Sequence, residues 1–139
     1  MNAETAPDIA SWFDRYIATF TAQASGAGPD SRDLLLRFYA TPMSLTAPDR
    51  HVVVTNPKLL AEAVDHDLSR LREQGYAGSS EFGRTIRVLS EDVTLIETSW
   101  VRHNRDGGEI ERLDCAYLVV PTDSGWQFGS IVVTPAVTA

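Results

Sequence analysis

The chain has 139 residues, with 12 Lys and Arg against 19 Asp and Glu, a formal charge of −7. That length fits one domain, 1–139, and 43% apolar with 22% charged content is globular rather than disordered. The acidic balance speaks against nucleic acid, no run approaches the ~20 apolar residues of a membrane span, and the lone Cys115 excludes an internal disulfide.

Met1 to Asp8 lack the basic flank and apolar stretch of a secretory signal, so the expected location is the cytoplasm. Thr5 and Asp8 have cap spacing, with Pro7 near the first turn. Ile9, Trp12, Phe13, Tyr16, Ile17 and Phe20 then recur at three- and four-residue steps, which is one helical stripe. Ser25-Gly26-Ala27-Gly28-Pro29 stops this helix, and Asp30 or Ser31 caps a shorter one over Arg32 to Tyr39. Met43 to Thr46 and His51 to Thr55 read as short strands around the turn Ala47-Pro48-Asp49-Arg50. Asn56-Pro57 starts a third helix, which runs to Gly75 with Leu59, Leu60, Ala63, Val64, Leu68 and Leu71 as its apolar positions.

Strands follow at Phe82 to Leu89, Val93 to Arg105, Glu109 to Val120 and Trp126 to Thr134. Their short connections imply antiparallel hairpins. The order predicts an α+β domain with helices on one face of a curved sheet.

Two-residue turns at Asp106-Gly107 or Gly107-Gly108, which keep the same parity, and at Asp123-Ser124 would fix which side chains share a face. Ile96, Thr98, Trp100 and Arg102 then lie with Leu113, Cys115, Tyr117, Val119, Trp126, Phe128, Ser130 and Val132. This aromatic face is the expected inner one. The other face carries Leu95, Glu97, Ser99, Val101 and His103 with Arg112, Asp114, Ala116, Leu118, Ile131 and Val133. Its apolar content predicts a homodimer through the outer sheet face. A bulge would break this assignment.

The element order, with Arg15-Tyr16-Ile17-Ala18, Phe38-Tyr39-Ala40 leading into Ala47-Pro48, Arg105-Asp106-Gly107-Gly108 and Gly125-Trp126-Gln127-Phe128, resembles the nuclear transport factor 2-like superfamily. That group includes ketosteroid isomerases, scytalone dehydratases and polyketide-cyclase-like (SnoaL-like) proteins. Gly75-Tyr76, Glu111-Arg112, Tyr117-Leu118 and Gly125-Trp126 look most like an uncharacterised bacterial branch. The resemblance implies a cone: a curved, mostly antiparallel sheet with three helices on its concave face, a pocket in its mouth, and dimers through the sheet. It also implies a tyrosine donor on the first helix, matched by Tyr16, and a second donor whose position falls on Tyr117. The general base would be an aspartate before a proline, and here that position is Ala47. Alanine cannot abstract a proton, so a conventional ketosteroid isomerase is rejected. A dehydratase would need histidines at the pocket, and His51, His66 and His103 form no convincing acid/base pair with Asp49 or each other.

The candidate ligand-binding residues are Tyr16, Trp100, Cys115 and Tyr117, with Phe128 deeper and Trp12 at the rim. Each aromatic has a plain alternative as core, and Cys115 as a buried inert thiol. Asp65-His66-Asp67 reads as a solvated helix face, because adjacent helix positions do not converge on one ion. Glu97, Arg112 and Asp114 read either as a catalytic network or as salt bridges at a dimer interface. No metal or cofactor motif is present, and none is expected. The function expected is binding of a small apolar or cyclic carbonyl-type molecule. The alternatives are a cofactor-free isomerase, dehydratase or cyclase-like enzyme, and a non-enzymatic dimeric interaction domain.

Overall fold

The apolar stripe of the first helix decides the architecture, because it needs a matching surface to bury against. In the structure, a computed structural model describing residues 5–26 and 32–135, α1 (Thr5–Ser25) buries Ile9, Trp12, Phe13 and Tyr16. Asp8 lies inside its first turn instead of capping it, where its charge suits the positive end of the helix dipole. The breaks read at Ala27-Gly28-Pro29 and the caps read at Asp30 and Ser31 lie outside the described residues.

The second helix, α2 (Arg32–Leu36), is shorter than the sequence suggests. The N–H groups of Arg37 and Phe38 bond back only three residues, to Leu34 and Leu35. The carbonyl of Phe38 then accepts from Phe128 N–H at 2.7 Å, which draws the chain into the sheet. Tyr39 therefore opens strand β1 (Tyr39–Ala47) and is buried. Strand β2 (Arg50–Val54) returns antiparallel to it.

Helix α3 (Pro57–Glu73) has the predicted start: Asn56 is extended and its side-chain oxygen accepts from Leu59 N–H at 3.0 Å. Its C-terminal arginine Arg72 donates twice to the Gln23 carbonyl, at 2.9 and 2.6 Å, so α3 caps the end of α1. Gly75 follows with φ of 73°, a conformation that side chains resist.

The remaining strands are β3 (Tyr76–Ser90), β4 (Val93–Asn104), β5 (Glu109–Thr122) and β6 (Gly125–Pro135). They complete a curved, open six-stranded sheet of order β2-β1-β6-β5-β4-β3. All pairs are antiparallel except β1 with β6. This is the α+β architecture the pattern predicts.

Between β4 and β5 the predicted pairing holds up to Arg102: Ile96 opposes Tyr117, Thr98 opposes Cys115, and Trp100 opposes Leu113. The two-residue turn does not form: the register shifts between Arg102 and His103, which pairs with Glu109, and Asn104 N–H donates to the Gly108 carbonyl across a longer loop. The β5–β6 hairpin also starts as predicted, with Thr122 opposite Gly125 and Val119 opposite Phe128. A bulge then intervenes, because Leu118 pairs with Ser130 and Gly129 is left over. Beyond it the parity flips. Ile131 and Val133 turn inward opposite Tyr117 and Cys115, and Ser130 and Val132 turn outward, the reverse of the expectation.

An aromatic cluster joins α1 to the sheet. Trp12 lies 4.8 Å from Phe128, Tyr16 4.7 Å from Phe128, and Phe13 5.0 Å from Tyr117, in tilted or edge-on geometries that suit ring quadrupoles. Arg84 of β3 lies over the Phe13 ring at 4.9 Å and binds Glu81 and Asp14, each at 2.7 Å. It fastens the outer side of α1 to the sheet.

Candidate functional site

Between α1, α3, the β1–β2 hairpin and the inner face of β4–β6 lies a cavity of about 460 Å³. That is within the range of small-molecule sites. Met43, Leu45, Leu60, Val64, Leu71, Leu113, Ile131 and Val133 make its walls apolar. Ile131 and Val133 reach it only because of the bulge at Gly129. Tyr16, Tyr39, Cys115 and Tyr117 also line it.

The phenols have distinct partners. Tyr16 and Tyr39 hydroxyls are 3.0 Å apart and either one donates. Two hydroxyls sharing one bond spend one hydrogen and leave one over. Neither has another hydrogen-bond partner among the described residues. Tyr117 instead accepts from the Trp100 indole N–H at 3.2 Å. Burial pushes all three phenols above their ordinary range, Tyr39 and Tyr117 well above it. They are neutral donors at physiological pH. Burial likewise pushes the Cys115 thiol up to about 11, so it is protonated and unreactive at neutral pH.

Charge enters at the mouth. Arg102 projects from the inner face of β4 and donates to Glu111, opposite it on β5, at 2.8 Å. Burial works against its charge, but Glu111 outweighs that and raises its pKa. Arg70 of α3 approaches the same Glu111 oxygen at 3.7 Å. Arg50 is paired with Asp67 at 2.8 Å. Ala47, Pro48 and the exposed Asp49 form the adjacent rim.

Of the residues read from the sequence, the structure brings Tyr16, Cys115 and Tyr117 together on this cavity. Trp100 does not line it. It faces a separate recess of about 30 Å³ shared with Tyr16, Arg102 and Tyr117. Phe128 and Trp12 belong to the core, packed against each other and closed off from the cavity. Asp65-His66-Asp67 is not simply a solvated face: Asp65 pairs with Arg32 at 2.6 Å, and His66 and Asp67 line the mouth. Glu97, Arg112 and Asp114 form no joint network. They bind Arg87, Glu109 and Ser99 respectively. Sequence reasoning missed Tyr39, hidden in a helix assignment, and the pair Arg102–Glu111. The signal for that pair was present, since two-residue parity puts both on the apolar inner face.

Among the described residues no helix is long and apolar enough to cross a membrane, and no three His, Cys, Asp or Glu converge as a metal-binding group.

The family model described as NTF2-like protein (DUF6841) matches residues 4–136. No curated protein matches the sequence. Among solved structures, a domain of unknown function with a cystatin-like fold from Nostoc punctiforme superposes with a TM-score of 0.73 at 11% identity, over 99% of this chain and 81% of that one. A ketosteroid isomerase-like protein from Erwinia carotovora atroseptica gives 0.69 at 14% identity, over 99% and 100%. A putative Ca/calmodulin-dependent kinase II association domain from Exiguobacterium sibiricum gives 0.71 at 10% identity, over 100% and 98%. Identities this low establish the fold and nothing finer.

Proposed function

The chain belongs to the NTF2-like DUF6841 family, and on that premise we propose that it binds a small, largely apolar molecule carrying an oxygen acceptor. The observation that carries this reading is the apolar cavity of about 460 Å³ with a spare phenolic hydrogen at the Tyr16–Tyr39 pair. A carbonyl or phenolate oxygen would take that hydrogen, and the surrounding low dielectric would strengthen the bond. The apolar body would rest on Met43, Leu45 and Ile131.

Calorimetric titration with 2-tetralone and 2-naphthol tests it. Tyr16→Phe and Tyr39→Phe should each weaken binding about 5- to 30-fold, the equivalent of ~1–2 kcal/mol for one lost hydrogen bond. Unchanged affinity in both folded variants would remove the hydroxyl pair from the reading.

Catalysis is the second reading, favoured by one observation: Asp49 lines the rim two residues after Ala47. A carboxylate there would exchange the α-protons of 2-tetralone into deuterated water. Asp49→Asn would stop exchange without stopping binding, whereas no exchange by the unaltered protein leaves binding alone.

The proposed oligomer is a homodimer through the outer sheet face. Its apolar surface comprises Phe82, Val53 and Val132, which are exposed, with Leu95 and Leu118 beside them. Ile131 and Val133 drop out, because the bulge turns them inward.

A further inference from the structure

We infer that the cavity selects monocarboxylates: an apolar body enters between the sheet and α3, and its carboxylate is held by Arg102. This rests on the binding reading above and names the ligand class.

A guanidinium carries five N–H groups in a rigid fork. Arg102 is only 15% exposed. Among the described residues it makes one hydrogen bond, from Nη1 to Glu111. Arg102 lines both the main cavity and the recess beside Tyr16 and Tyr117. Its guanidinium carbon lies over the Phe20 ring, 5.7 Å from the centroid. The free N–H groups of such a fork donate to a carboxylate along its edge.

Charge balance points the same way. Arg50 is neutralised by Asp67. Arg70 and Arg102 share the single carboxylate of Glu111, which leaves one positive charge in excess at this wall. The whole chain carries −7, so this wall stands out as an anion-seeking spot. That single surplus charge beside Glu111, set against the apolar walls and with Asp49 as the remaining acid at the rim, matches a monoanion better than a phosphate, which would demand more donors. Glu111 is then the competitor: it occupies part of the fork and repels an incoming carboxylate.

The test uses the full-length protein with matched probes, 2-naphthoate and 2-naphthamide, which share an apolar body and differ in charge. Calorimetry should show naphthoate bound at least about tenfold more tightly, the scale of a charge-assisted hydrogen bond. Arg102→Met should erase that preference and leave naphthamide within about twofold. Glu111→Gln should tighten naphthoate binding several-fold, a gain that a merely structural ion pair would not produce. It also keeps the test decisive if Arg102→Met does not fold. Equal binding of the two probes, or loss of naphthoate affinity in Glu111→Gln, overturns the carboxylate assignment while the cavity reading stands. If neither these probes nor 2-tetralone nor 2-naphthol binds, the cavity reading itself fails and the assignment with it.

Discussion

Tyr16, Tyr39, Tyr117 and Cys115 share an apolar surrounding, and this has a consequence at high pH. Each has its pKa raised by burial in the folded state. A raised pKa means the folded protein holds its proton more tightly than the unfolded chain does. The associated stability is complete below the unfolded pKa and is lost as pH climbs towards the folded one. For Cys115 that window runs from 9.0 to about 11, with a slope of up to ~1.4 kcal/mol per pH unit. The tyrosines enter only above their unfolded value of 10.0. Melting temperature should therefore fall between pH 9 and 10 in the unaltered protein. Cys115→Ala should flatten that segment and leave the steeper fall above pH 10. Parallel curves across pH 9 to 10 would show that the thiol carries none of it. The sequence placed Cys115 and Tyr117 on one inward parity, because alternation along a hairpin is a strict local rule. It did not reveal Tyr39, since a Leu-Leu-Arg-Phe-Tyr run satisfies helix and strand patterns equally and only the bond from Phe128 to the Phe38 carbonyl settles it.

Elements were legible where chain-local chemistry sets them. Asn56-Pro57 and Gly75 bracket α3 as expected, through a cap bond and a positive φ. Asn56→Ala should cost about 1 kcal/mol through the lost bond to Leu59 N–H. Gly75→Ala should cost ~1–2 kcal/mol. An added Cβ there meets Asn104 only at 3.9 Å, so that cost is conformational and not a clash. Chemical denaturation measures both, and a neutral Gly75→Ala would contradict the left-handed turn. The bulge at Gly129 was not legible. Gly129-Ser130 alternates as smoothly as its flanks, and a bulge depends on how β6 must bend to lie parallel to β1 on one side and antiparallel to β5 on the other. That one unpaired residue moved Ile131 and Val133 from the expected dimer face to the cavity. It thereby changed both candidate surfaces at once.

For the molecule as a whole, the sheet gives two faces separate tasks: the concave side encloses the cavity and the convex side carries Val53, Phe82 and Val132 in the open. The proposed dimer should sediment at twice the 15.3 kDa chain mass at tens of micromolar. Val132→Glu should shift it to the single-chain mass without affecting naphthoate affinity. A monomer in the unaltered protein, or a contact burying less than ~1,000 Å² in total, would argue against it. The cone and its element order were readable because helix and strand periodicities change cleanly after Gly75. The cavity's openness was not, since it depends on side chains from seven elements leaving space unfilled. The account turns on that space. Its most direct test is a crystal structure of the protein soaked separately with 2-tetralone and 2-naphthoate. The account predicts ligand in the cavity, with the ketone oxygen within hydrogen-bond distance of Tyr16 or Tyr39 and the carboxylate against Arg102. A cavity closed by its own side chains, or ligand found only on the convex face, would contradict it.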